Sequence, residues 1–198
     1  MKKVLIVLLS LIVIAMFFAG YVIKKYNRLQ QMKVDVENSW AQVENQYQRR
    51  YDLIPNLVNT VKGYATHEKD TFTEIAEARS KAGGMVNVDK SILNDPQSFQ
   101  KFQQVQNNLS GALQRLMVVV ERYPELKADK NFMALQDQLE GTENRIAQER
   151  RKFNNSVRDF NKEIVTFPNN VFAGIFNIQK AQFFKTKPGA QEAPKVKF

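Results

Sequence analysis

The sequence predicts an all-α protein, an N-terminal transmembrane helix followed by an antiparallel four-helix bundle of long helices. Three observations carry that expectation. The run VLIVLLSLIVIAMFFAGYVI, Val4–Ile23, is 20 residues long and holds no charged side chain. Beyond it, from Tyr26 to Phe167, apolar residues recur every three or four positions, the period of an amphipathic helix, and no period-two strand pattern persists. The connections between these stripes are short, which brings successive helices back alongside one another. The expected organisation is therefore an anchor over residues 1–25, a bundle over 26–184 and a disordered basic tail over 185–198.

Taken in order, the anchor comes first. At about 1.5 Å of rise per residue it matches a hydrocarbon core about 30 Å thick. Lys2 and Lys3 precede it, Lys24, Lys25 and Arg28 follow, and Tyr21 and Tyr26 stand where interfacial aromatics belong. A cleaved signal peptide would have a shorter apolar region and a small-x-small site. Phe17-Phe18-Ala19-Gly20 lacks the small residue two positions before Ala19, so the anchor is expected to be retained.

Leu29, Met32, Val36, Trp40, Val43 and Tyr47 form the first stripe of the bundle. Asp52 and Pro55 mark an expected break after it, because proline suits a first turn and not a helix interior. Leu57, Val61, Ala65, Phe72, Ile75 and Arg79 make the second stripe, ended by Gly83-Gly84. MVNVDKSILNDP reads as a loop, closed by Asp95 capping a helix with Pro96 at its first position. The third stripe is Phe99, Phe102, Gln106, Leu109, Leu113, Leu116, Val120 and Tyr123, with Pro124 after it. The fourth runs Met133, Leu139, Glu143, Ile146, Arg150, Phe153, Val157, Phe160, Ile164 and Phe167. Phe167-Pro168-Asn169-Asn170 ends it, and the short apolar piece VFAGIFNI is expected to fold back as a lid.

Composition excludes several chemistries. The 198 residues contain no Cys and one His, so disulfides, thiol nucleophiles, Cys-ligated metals and paired-His catalysis are out of reach. His67-Glu68 begins like the zinc motif H-E-x-x-H, but position 71 is Thr. Carboxylate-bridged di-iron bundles need Glu-x-x-His on two helices, and here Tyr64 stands three residues before the lone His. No cofactor is expected. The net charge of +9 favours anionic partners, the lipid bilayer surface first. Lys and Arg are interspersed with Asp and Glu rather than gathered on one face, which disfavours nucleic acid.

The polar residues that interrupt the stripes make the one candidate site. Glu68, Gln106, Glu143 and Arg150 fall at slots where each stripe wants an apolar side chain. Facing inward they must pair, because an unpaired buried charge costs several kcal/mol. Arg49 or Arg50 is the available counter-charge on the first helix. Such a layer either fixes helix register or forms a ligand site.

NSWAQVENQYQRRYDLIPNLVNTVKGYATHEKDTFTEIAEARSKA, Asn38–Ala82, closely resembles the signature of the LemA family of bacterial membrane proteins. Tyr26-Asn27 past the anchor, LEGTENRIAQERRKFN at Leu139–Asn154 and Phe167-Pro168 extend the likeness over residues 26–184. The resemblance implies a single anchor (a lipidated Cys in some relatives) and an antiparallel helical bundle without an established catalytic activity. Tyr51 departs from the Ala common in relatives, and the lipid-anchor Cys is absent here. Relatives are often encoded beside membrane proteases or TPM-domain proteins, so a membrane-protein partner of that kind is implied. The expectation is a non-enzymatic, membrane-anchored interaction or scaffolding module of the bacterial cytoplasmic membrane, with a ligand-binding or enzymatic bundle as the alternative. Charge flanking the anchor leans weakly toward a cytoplasmic bundle, while lipid-anchored relatives imply the extracytoplasmic side, and the balance tips to the latter.

Overall fold

The computed structural model describes residues 2–85 and 89–185. Six α-helices follow one another: α1 (Lys2–Lys62), α2 (Lys69–Gly83), α3 (Pro96–Val120), α4 (Pro124–Lys127), α5 (Lys130–Val165) and α6 (Asn169–Ile175). A 3-10 turn, Lys90–Leu93, lies between α2 and α3, and no strand occurs among the described residues. The all-α class read from the stripes is the observed one. The tail expected over 185–198 lies outside the described residues except for Lys185, as do Val86–Val88 of the expected loop.

Anchor and first bundle helix form one rod. α1 is 61 residues long, and no residue from Val4 to Gly20 is buried. The break expected at Asp52–Pro55 does not occur, and Pro55 sits inside α1. A proline there removes the N–H that would bond the carbonyl four residues back, that of Tyr51. Arg79 of α2 supplies the missing donor, its Nε giving a long 3.4 Å hydrogen bond to Tyr51 O. The same guanidinium lies over the Tyr51 ring, 3.9 Å from its centroid. Gly83, one turn further along α2, leaves room for that ring, since a Cβ there would stand 2.7 Å from the Tyr51 hydroxyl.

Pairings fix the directions. α1 and α5 run antiparallel: Arg28 meets Glu163, Ser39 meets Ser156 and Arg50 meets Glu143. α2 and α3 are likewise antiparallel, with Glu74 on Arg115 and Glu68 on Arg122. α2 has only 15 residues, so α1, α2, α3 and α5 share a core only in the half away from the anchor. Ile54, Leu57, Val61, Phe72, Ile75, Leu113, Leu116 and Phe132 fill that distal core. Nearer the anchor, a second core gathers Trp40, Tyr47, Phe99, Phe102, Phe153 and Phe160. Trp40 touches Phe99, Phe102, Phe153 and Phe184 at ring distances of 5.1 to 5.9 Å. Aromatic contacts of this kind add about 0.5–1.5 kcal/mol each beyond their buried area.

The place that a fourth long helix would occupy beside the proximal core is filled by two irregular pieces. Ile92 and Leu93 of the 3-10 turn are buried there, so the predicted loop is partly core. After α6, Asn177 takes a φ of 50°, a left-handed conformation asparagine tolerates, and the chain continues as an extended strap to Lys185. Two asparagines of α5 hold this strap. Asn161 bonds both the N–H and the C=O of Ala181, and Asn154 does the same for Phe184, all four bonds at 2.9–3.0 Å. The spacings match: seven helical residues and three extended ones each cover about 10 Å.

Two further expectations shift. Met133 and Phe167 are exposed, and Phe132 takes the inward slot at the start of α5. The fourth helix is split, because α4 stops at Lys127 and Asp129 then caps α5 through the N–H groups of Asn131 and Phe132. The VFAGIFNI segment covers no site. As α6 it packs on α1, Phe176 against Tyr26 and Phe172 against Tyr21.

Candidate functional site

The two cores meet at a single charged side chain. On α1, Arg50 follows Tyr47 of the proximal core and precedes Ile54 of the distal one. On α3, Gln106 stands in the same way between Phe102 and Leu109. On α5, Thr142 and Glu143 stand between Leu139 and Ile146. Hydrogen bonds from Arg50 to Gln106, Ser110 and Glu143 put these positions at one level, so the polar residues form a layer across the molecule.

Arg50 is 1% exposed, and its guanidinium is well supplied with acceptors. Nη1 donates to Glu143 Oε1 at 2.9 Å and to Ser110 Oγ at 2.8 Å. Nη2 donates to the side-chain oxygen of Gln106 and, at 3.4 Å, to its backbone carbonyl. Among the described residues Nε has no partner. The Tyr47 ring lies beneath, 5.0 Å from the guanidinium carbon. Burial pushes the Tyr47 hydroxyl above its ordinary titration range, against the pull of Arg150 and Arg50, so it stays protonated at neutral pH. Glu143 is different in kind: its side chain is 40% exposed and sits at the layer's open edge.

Of the six residues singled out from the sequence, the fold brings three together: Arg50, Gln106 and Glu143. Arg49 is exposed. Glu68 lies at the far end of the bundle, where it accepts from Arg122 at 3.2 Å and from the Tyr123 hydroxyl at 3.3 Å. It belongs to the α2–α3 junction and not to the layer. Arg150 lies over the Phe184 ring, 4.3 Å from its centroid, and covers the aromatic core. Sequence reasoning missed Ser110, Asn154 and Asn161. Ser110 follows Gln106 by four residues on α3, and the two asparagines are seven apart on α5, spacings that mark a shared face. No composition signal separates them from ordinary surface polar residues.

Outside the layer, an open groove of about 400 Å³ runs between α3 and α5 beside Glu143, lined by Ser110, Gln114, Gln136, Glu140 and Asn144 with Leu113, Met117 and Leu139. Its polar groups are amides, a hydroxyl and two carboxylates, a set without a nucleophile–base pair. Among the described residues no group of His, Asp and Glu is arranged to hold a metal ion. The layer can bind a guanidinium and fix helix register.

These features define an all-α protein whose apolar N-terminal helix, fitting a single-pass membrane anchor, runs unbroken into a helical bundle keyed by one buried arginine. The model of the LemA family matches residues 39–198, and the chain belongs to that family. It is 28% identical over 187 residues to Magnetosome protein MamQ 2 of Paramagnetospirillum magneticum, the match covering 86% of this chain and 68% of that one. Magnetosome protein MamQ of Magnetospirillum gryphiswaldense is 25% identical over 186 residues, with the same coverage of each. Protein LemA of Metamycoplasma hominis is 26% identical over 184 residues, covering 93% of this chain and 79% of its own length.

Proposed function

We propose that this protein is a non-catalytic, membrane-anchored interaction module, a rigid stalk that presents a helical bundle to a membrane-protein partner. The observation that supports it is the continuity of α1. An exposed apolar segment and nine buried core residues lie on one helix without a hinge between them. From Ile23 to Lys62, at about 1.5 Å per residue, the rod carries the far end of the bundle about 60 Å beyond the anchor. A flexible linker would leave the distance to a partner free; a continuous helix sets it.

The partner is a protein of the same membrane, a protease or TPM-domain protein being the kind the family resemblance suggests, and the bundle faces away from the cytoplasm. A ligand-binding or enzymatic use of the α3–α5 groove is less favoured. Arg50, the strongest binding group near it, is already engaged by Glu143, Gln106 and Ser110.

Photo-crosslinking residues at Gln114, Asn144 and Ser80, in the full chain in native membranes, test the reading. A discrete adduct with one integral membrane protein is expected from at least one position. No adduct from any of them, with the chain intact and membrane-bound, removes it. For sidedness, Ser80→Cys in a chain otherwise free of Cys should react with an impermeant maleimide in intact cells. Reaction only after lysis would place the bundle inside.

A further inference from the structure

We infer that the α5–α6 corner is a second membrane contact, an apolar wedge lying in the interface of the same bilayer that the anchor spans. The inference rests on the anchor reading above and adds to it a lipid-facing surface within the bundle domain.

The first observation is a gap in charge. Ile164–Gln179 is a run of 16 uncharged residues, between Glu163 and Lys180, in a chain that is 25% charged. The second is exposure. Val165, Phe167, Val171 and Ile175 are 52%, 79%, 49% and 69% exposed, with Val171 and Ile175 four residues apart on α6. Their neighbours Ile164, Phe172 and Ala173 are buried, so the corner has an inner apolar face that packs and an outer one that none of the described residues covers.

The third observation is depth, and it decides the occupant. Glu163 is level with the start of the bundle, 3.1 Å from Arg28 and 4.0 Å from Lys25. α5 runs antiparallel to α1, so each residue after Glu163 moves about 1.5 Å toward the anchor. Val165, the last residue of α5, thus reaches the level of the last residues of the apolar run, and Phe167 follows in the turn into α6. α6 then returns along α1, with Phe172 beside Tyr21, 6.2 Å between ring centroids, and Phe176 beside Tyr26, 4.7 Å. Tyr21 lies within the apolar segment and Tyr26 just beyond it, so α6 spans the interfacial zone, which is about 5–7 Å deep on each side of the hydrocarbon core. Interfacial helices bury their apolar face about 5–10 Å into this boundary. Lys24 on α1 supplies a cation at the same level for anionic headgroups, beside the Lys25 and Arg28 pairs with Glu163. An apolar face at that depth beside a spanning helix meets lipid, and the wedge fixes the tilt of the stalk.

The chain has no cysteine, so single environment-sensitive fluorophores can be placed at will. The full-length protein is labelled at Phe167→Cys, Val171→Cys, Ile175→Cys, Phe17→Cys in the anchor and Lys127→Cys at the far end. Each is reconstituted in vesicles of phosphatidylethanolamine and phosphatidylglycerol containing lipids brominated near the headgroup end of the acyl chain. Quenching at Phe167, Val171 and Ile175 at least twofold above that at Lys127 is expected, with blue-shifted emission. Quenching at Phe17 alone overturns the wedge and leaves the anchor standing; no quenching at Phe17 overturns the anchor reading itself. Oxidative crosslinking of Val171→Cys to a second copy without lipid quenching assigns the face to self-association and also overturns the wedge. Unchanged helicity of the labelled chains shows that the substitutions, at exposed positions, have left the fold intact.

Discussion

Removing Arg50 tests whether the buried layer keys the bundle, and the structure sets the magnitudes. Arg50→Ala takes a nearly fully buried side chain out of a site where four acceptors converge. It leaves the side chain of Gln106, itself buried, facing a void. An orphaned buried acceptor costs about 1–3 kcal/mol, and lost packing of a long side chain adds a comparable amount. The expected loss is about 3–5 kcal/mol. Glu143→Ala should cost less, about 1–2 kcal/mol. Its carboxylate is 40% exposed, so the charge pair is partly screened, and Arg50 keeps Ser110 and Gln106. The pair considered as two fully buried charges would have suggested about 3–5 kcal/mol for either partner. Urea unfolding of the detergent-solubilised chain, followed by circular dichroism and by the single Trp40, measures both, and the double variant gives the coupling. A loss below about 1 kcal/mol for Arg50→Ala, or a larger loss for Glu143→Ala than for Arg50→Ala, would refute this account of the layer.

Other expectations concern the irregular features. Arg79→Ala should cost about 1–3 kcal/mol by stranding the Tyr51 carbonyl, and Pro55→Ala should relieve most of that loss because α1 then supplies its own N–H; equal costs in both backgrounds would exclude the compensation. Asn154→Ala and Asn161→Ala each remove two hydrogen bonds to the strap, so both should raise amide exchange around Ala181 and Phe184 and shift the emission of Trp40, whose ring contacts Phe184. Unchanged exchange would mean that apolar contacts alone hold the strap. Titration has two opposite signs. Asp129 is held below its ordinary range by the Phe132 N–H and by the Tyr64 hydroxyl, so its contribution is present at neutral pH and is lost as pH falls through its folded value. Glu44 is pushed above its ordinary 4.5 by burial, against Trp40 and Lys90, so its charged form weakens the fold. Glu44→Gln should therefore stabilise the protein near pH 7 and lose that advantage below about pH 4, as thermal melts at both pH values would show.

Much of this architecture was legible in the sequence, for a local reason. Whether a segment spans a membrane or lies on a bundle depends on the period and length of its apolar residues, which are properties of consecutive positions. Trp40, Leu113 and Phe153 are buried where their stripes place them. The inward direction of Gln106 was readable in the same way, as a polar residue in a core slot, whereas the choice between Arg49 and Arg50 was left to the structure. What only the tertiary structure decided depends on partners distant in the chain. Pro55 stays inside α1 because Arg79, 24 residues later, satisfies the carbonyl it frees. Glu68 and Glu143 occupy equivalent slots in their stripes, yet one meets Arg122 at the end of the bundle and the other Arg50 at its middle. Periodicity gives the face of a helix on which a residue lies but not the height at which it meets its neighbour. That height is set by loop lengths, by α2 stopping after 15 residues and by the strap that takes the place beside the proximal core.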